Sequence, residues 1–252
     1  MIASRYPSDY LEIEIIDLIG DPRLDFKFTV PDGRASIRGA VGGFVQNKPM
    51  ICGGVNDRNE IQNCLILGEE NFTFSMITDR VDASSIVLKQ QQQLWVTGGW
   101  KASENGFEPA ESLNSTEYVS WDQPNTVQGP KLPFTIYGHT MVEIDLKSIL
   151  IIGGGRQNND WSDRPSSNKT WFVDLSNGFE IKEGPSLNHA RARHSCSKMT
   201  INGKVFIVVA GGVASTIGRP QIRKTVEILD STSPEKGWIF GMYSFRWITY
   251  TF

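Results

Sequence analysis

The sequence predicts an all-β protein. Glycine and large aromatics are frequent, with 24 Gly and 7 Trp among 252 residues. No stretch carries a helical period of useful length. Short β-branched or aromatic runs instead return at similar intervals, each bounded by turn residues. At 39 % hydrophobic residues the chain can build a real core, and its length allows one large domain or two small ones.

The elements follow in order. Residues 11–18 and 25–30 alternate as two strands. Then comes a unit that repeats. Four apolar runs each close on a diglycine: Gly53-Gly54, Gly98-Gly99, Gly153-Gly154 and Gly211-Gly212. One such pair is uninformative; four, each ending a strand-like run, define a repeat. A short apolar stretch precedes each run (39–45, 83–88, 138–144, 193–199). After a longer loop comes a third strand (63–67, 115–119, 169–174, 225–230). A fourth, outer strand leads into Gly129-Pro130 and Gly184-Pro185. The units span 36–78, 80–133, 136–187 and 192–241, with residues 11–30 as a partial unit. Residues 242–252 match nothing else in the chain, and Met242 stands where the repeat predicts proline. The repeat is expected to be lost at 241–242, through a truncated gene model or an altered 3′ end.

Four strands per unit with a diglycine closing the second resembles the kelch repeat of β-propellers. The resemblance covers residues 36–241. It implies a single kelch-type propeller of four four-stranded blades and an N-terminal half blade, incomplete and open. Strand a of each blade would be innermost and strand d outermost. Tyr118, Phe172 and Ile228 would fill the space between blades. The usual outer-strand Trp has Trp238 in the last blade, Phe179 in the third and no clear equivalent in the second.

The charge balance, 25 Lys+Arg against 28 Asp+Glu, argues against nucleic acid as a partner, since a phosphate backbone is bound through a basic surface. No run is apolar enough to span a membrane. The absence of a leader segment predicts a cytoplasmic protein; a preceding leader would make it extracellular. Three scattered histidines and three scattered cysteines form no metal-ligand pattern. His139 and His194 share one repeat position, which marks them as structural, and His189 has no visible partner. Gly153-Gly154-Gly155-Arg156 lacks the Lys-Ser/Thr and helix start of a phosphate loop. No cofactor and no catalytic set is expected.

A hairpin centred near residue 58 would place Cys52 opposite Cys64. A disulfide there and two buried thiols are both compatible with the sequence. Sequons at Asn71, Asn114 and Asn168 are candidate glycosylation sites. Gln90–Gln93 reads as a solvated a–b turn.

The loops between strands b and c are long and emerge on one face. Long loops on a rigid scaffold favour recognition. They carry Trp100, Phe107, Arg156, Trp161, Arg164 and Arg219, residue types enriched at binding hot spots. The expected function is a non-enzymatic interaction module that binds a peptide or protein segment on this face. The kelch resemblance adds roles in substrate recognition or scaffolding. Its alternatives are a galactose-oxidase-like copper enzyme or its remnant, and a truncated product without activity of its own.

Overall fold

A computed structural model describes residues 2–3, 10–15, 24–29, 37–55, 62–66, 73–101, 111–122, 126–156, 165–216 and 219–241. The chain begins with a sheet of β1 (Ile2–Ala3), β2 (Tyr10–Ile15) and β3 (Leu24–Thr29), in that spatial order. The expected two-stranded half blade is therefore a three-stranded sheet, because Ala3 pairs with Ile13 along the free edge of β2.

Four antiparallel four-stranded sheets follow, arranged as a four-bladed β-propeller. Blade 1 comprises β4 (Val41–Val45), β5 (Lys48–Cys52), β6 (Asn63–Ile66) and β7 (Thr73–Ser75). In blade 2, β8 (Ser84–Leu88) and β9 (Gln93–Thr97) lead into a small hairpin, β10 (Trp100–Lys101) and β11 (Glu111–Ser112). β12 (Thr116–Val119) and β13 (Val127–Gln128) complete that blade. Blade 3 comprises β14 (Thr140–Asp145), β15 (Ser148–Ile152), β16 (Thr170–Asp174) and β17 (Glu180–Glu183), with Gly155 and Ser166 bridged antiparallel at the base of its b–c loop. Blade 4 repeats the layout of blade 2. It runs β18 (Ser195–Ile201), β19 (Lys204–Ala210), a hairpin of β20 (Val213–Thr216) and β21 (Arg219–Ile222), then β22 (Val226–Asp230) and β23 (Ile239–Phe240). The inner strands β4, β8, β14 and β18 lie side by side in that order.

Each a–b turn is tight. Gln46-Asn47 and Asn202-Gly203 both take positive φ at two successive residues, the geometry that matches the twist of the flanking strands.

Strand alternation sends one set of side chains to each neighbouring blade. Val41, Met50, Cys52, Cys64 and Ile66 of blade 1 meet Leu94, Val96 and Val119 of blade 2. Trp95 and Leu88 meet Ile149, Ile151 and Val173 of blade 3. Leu150 and Ile152 meet Ile207, Val209 and Leu229 of blade 4. Tyr118 and Phe172 pack at the second and third of these junctions. Phe179, just before strand d, meets Trp95 edge-on at 5.2 Å. Trp238, in the corresponding place, is buried and donates Nε1–H to Pro185 O at 2.8 Å. Blade 2 does have an equivalent. Trp121 packs into the first junction from the c–d connection, with Lys48 Nζ 3.7 Å above its ring.

One position in each d–a link faces one position on strand c. In blade 2 these are Arg80 and Glu117, in blade 4 Arg191 and Glu227, all buried. Arg80 Nη2 donates to Glu117 Oε1, and Nη1 to Gly98 O (2.7 Å) and Ser115 O (3.0 Å). Arg191 Nη2 donates to Glu227 Oε1 at 2.6 Å, and Nη1 to Gly211 O and Thr225 O. The carboxylates accept backbone N–H groups in turn, Glu117 from Ile77 and Thr78, Glu227 from Asn188 and His189. These bonds repay the desolvation of both charges. At the same two positions blade 3 has Ile136 and Trp171, and blade 1 has Ile37 and Leu65. Neither mixes a charge with an apolar residue.

Breaking a buried pair leaves a naked charge and costs about 3–5 kcal/mol. Glu117→Ala should lower the unfolding free energy by that amount in urea titration. The double change Arg80→Ile with Glu117→Trp, which installs the blade 3 solution, should recover most of it. A double variant no more stable than the single one would show that the two solutions are not interchangeable.

Candidate functional site

The links between blades enter strand a through a residue with positive φ. The four equivalents are Gly39 (67°), Asp82 (52°), Gly138 (58°) and Arg193 (53°). They form a backbone chain around the inner ring. Asp82 N–H donates to Gly39 O, Gly138 N–H to Asp82 O, and Arg193 N–H to Gly138 O, at 2.9, 2.6 and 2.6 Å. The neighbouring link residues bridge to the starts of the b–c loops, as Val81 to Trp100, Tyr137 to Gly155 and Ala192 to Val213. The ring therefore lies on the b–c loop face.

Glycine suits this left-handed conformation, and an aspartate or arginine there carries strain. Blades 2 and 4 keep charged residues despite it. Their side chains meet across blade 3: Arg193 Nε and Nη2 donate to Asp82 Oδ2 at 2.9 and 2.5 Å. Trp100 Nε1–H donates to the same oxygen at 3.1 Å. The Arg193 guanidinium also stands 6.0 Å from the centre of the Tyr137 ring. The arginine side chain is 54 % exposed and the aspartate 16 %. The pair is solvent-screened and worth only a fraction of a kcal/mol to ~1 kcal/mol. It can be opened at little cost by an incoming charged group.

Of the loop residues expected to bind, Trp100 lies in this cluster, half-buried on β10. Arg156 is exposed, just beyond the Tyr137–Gly155 bridge. Arg219 opens β21. Phe107, Trp161 and Arg164 lie outside the described residues. Asp82, Tyr137 and Arg193 were missed because they sit in links rather than long loops. The signal for Asp82 and Arg193 was present: a repeat position that is glycine in blades 1 and 3 and charged in blades 2 and 4.

Cys52 and Cys64 oppose each other in register and are joined by a disulfide, Cα–Cα 4.0 Å. The bond clips the b–c loop of blade 1 at its base, on the face that holds the cluster. Asn114 and Asn168 occupy equivalent, half-buried positions, and Asn168 Nδ2 donates to Leu187 O at 3.0 Å. Asn71 lies outside the described residues, as does the 242–252 tail. Cys196 on β18 is half-buried, its Sγ donating to Met141 O, and burial raises its thiol pKa.

The histidines serve packing. His139 Nε2 bonds Thr97 Oγ1 (2.7 Å) and His194 Nε2 bonds Thr140 Oγ1 (2.8 Å), each tying one blade to the preceding one. Burial pushes both imidazoles down to about 3, aided for His139 by His194 and for His194 by Arg191. His189, unpartnered in the sequence reading, contacts the Thr225 hydroxyl and packs on Phe240 at 5.1 Å. Among the described residues no three His, Cys, Asp or Glu side chains group as a metal site. Among the described residues no helix is long and apolar enough to cross a membrane.

Fold and site together define a β-propeller with a charged mouth. No family model and no curated protein sequence matches the chain. A solved structure titled "Structure of YjhT" has a similar fold, with TM-score 0.59 and 14 % identity, over 81 % of this chain and 64 % of that one. The chain thus spans less than two thirds of that neighbour, and the likeness is one of fold.

Two outcomes follow for stability. Both histidines are depressed below their unfolded value of 6.5. Their stabilising contribution is complete above about pH 6.5 and is lost as pH falls toward 3, as the unfolded chain binds protons that the folded one refuses. Replacing His139 and His194 with asparagine should flatten the stability profile between pH 6.5 and 4.5; an unchanged slope rejects the assignment. Replacing Cys52 and Cys64 with alanine should cost about 3 kcal/mol, the closure entropy of so short a loop, by chemical denaturation under non-reducing conditions.

Proposed function

We propose that this chain is a kelch-type propeller acting as a non-enzymatic interaction module, and that it holds a peptide or protein segment across the mouth. The observation that carries the proposal is the Asp82–Arg193 pair. Both residues occupy left-handed positions that the other two blades fill with glycine. Strain retained at a surface where packing does not require the side chain points to use of that side chain. Trp100, half-buried, adds a flat, half-apolar surface beside the charges. A segment carrying both a cation and an anion can exchange partners with Asp82 and Arg193 without leaving either charge unpaired.

The glycine variants test this cleanly, because glycine relieves the backbone strain and leaves the fold intact. Peptides selected from a displayed random library on the wild-type protein should bind Asp82→Gly and Arg193→Gly about 10- to 100-fold more weakly, or ~1.4–2.8 kcal/mol. Thermal unfolding of both variants should stay at or above the wild-type midpoint. Equal binding by the variants, or a library that yields no binder, rejects the mouth as the site.

A further inference from the structure

The contact between Asp82 and Arg193 is one-sided. Asp82 Oδ2 receives all three donors, Arg193 Nε, Arg193 Nη2 and Trp100 Nε1. Among the described residues no group donates to Oδ1, and none accepts from Arg193 Nη1. Neither atom is sealed off. Oδ1 is not one of the buried polar atoms without a partner, and the arginine side chain is 54 % exposed. A guanidinium is a planar fork of five N–H donors. Its Nε–Nη2 edge is spent on Asp82, and its Nη1–Nη2 edge is left for another acceptor.

The neighbouring link positions keep these edges clear. A Cβ on Gly39 would stand 3.0 Å from Asp82 Oδ1, and a Cβ on Gly138 would stand 3.2 Å from Arg193 Cγ. Each charged side chain thus leans over the glycine of the blade before it. A side chain at Gly39 would cover the open carboxylate oxygen, and one at Gly138 would push the arginine out of place.

Two open edges of opposite character define what fits. The Oδ1 edge takes a cation. The guanidinium edge takes an anion, and a carboxylate meets its Nη1–Nη2 fork with two parallel bonds. The edges lie on either side of the Oδ2 contact, so both incoming charges can dock before the pair opens. In an extended segment adjacent residues point to opposite faces. Residues two apart share a face at about 6.5–7 Å, and residues four apart at about 13 Å, more than one ion pair spans. On a helix, opposite charges four apart already pair with each other and have less to gain.

We infer, on the reading that the mouth binds a segment, that its ligand is an extended stretch with one basic and one acidic residue two positions apart. The basic side chain sits on Asp82 Oδ1 and the acidic one on the Nη1–Nη2 edge of Arg193. The four charges then stand in a row of alternating sign.

Peptides selected from a displayed random library on the full chain supply the test. The enriched sequences should share a Lys or Arg and an Asp or Glu separated by one residue. In a synthetic copy of one such peptide, moving the acidic residue by one position should weaken binding about 10-fold or more. Alanine at the peptide's basic residue should cost as much on the wild-type protein and less than about 2-fold on Asp82→Gly. Alanine at its acidic residue should behave likewise with Arg193→Gly. Both protein variants relieve a left-handed backbone; should either fail to fold, the spacing series on the wild-type protein decides alone. Binders whose opposite charges keep no fixed spacing, or whose basic residue couples to Arg193 instead, overturn the inference and leave the mouth as the site. A library that yields no binder overturns both.

Discussion

The propeller depends on how closely one blade's diglycine approaches the next blade's link. The second glycine donates its N–H to the link carbonyl: Gly54 to Arg80, Gly99 to Ile136, Gly154 to Arg191, at 2.8–2.9 Å. A Cβ on Gly154 would lie 2.8 Å from His139 Cβ and 3.0 Å from Tyr137 O, and one on Gly212 would lie 2.7 Å from Ala192 O. No other residue fits both the contact and the left-handed backbone. This join places the link over the end of strand b, where Arg80 and Arg191 reach the first glycine's carbonyl. It also sets the distance across which the three apolar junctions are filled.

The space beneath each link is filled in two ways that never mix. Blades 2 and 4 use a buried arginine and glutamate whose hydrogen bonds are nearly all supplied by backbone. Blade 3 packs Ile136 in one cluster with Trp171, and blade 1 has Ile37 and Leu65 at the same positions. In blade 3, Trp171 is further stacked on Phe134 at 4.0 Å. The ionic solution pairs both charges and leaves only the arginine Nε–H groups without a partner; half of each solution would bury a lone charge or leave a void. Close packing and charge compensation explain why both members change together. The ionic version also orders the link, because the carboxylate accepts two successive backbone N–H groups there.

Much of the fold was legible because it is local and periodic. The diglycines, the alternating runs and the centre of the Cys52–Cys64 hairpin lie within single units. Legibility fails where the partner is far away in sequence or a residue leaves its expected place. Trp121 does the work of Trp238 and Phe179 but sits two residues after strand c, so alignment with the outer strand passes over it. Ile2-Ala3 is too short to read as a strand. Arg80, Glu117, Arg191 and Glu227 look like ordinary surface charges until the sheets bring them together. The mouth was half legible: Trp100 was marked by its loop, whereas Asp82 and Arg193 lie 111 residues apart and meet only because the inner strands lie side by side.

Glycine against charge at the mouth and apolar against ionic at the link positions keep the same beat. The pattern that repeats is therefore a pair of blades. Asp82 and Arg193 occupy matching seats with opposite sign. The mouth is accordingly a dipole rather than a symmetric array. A chain laid across it has a head end and a tail end, and reversing it would set like charge against like.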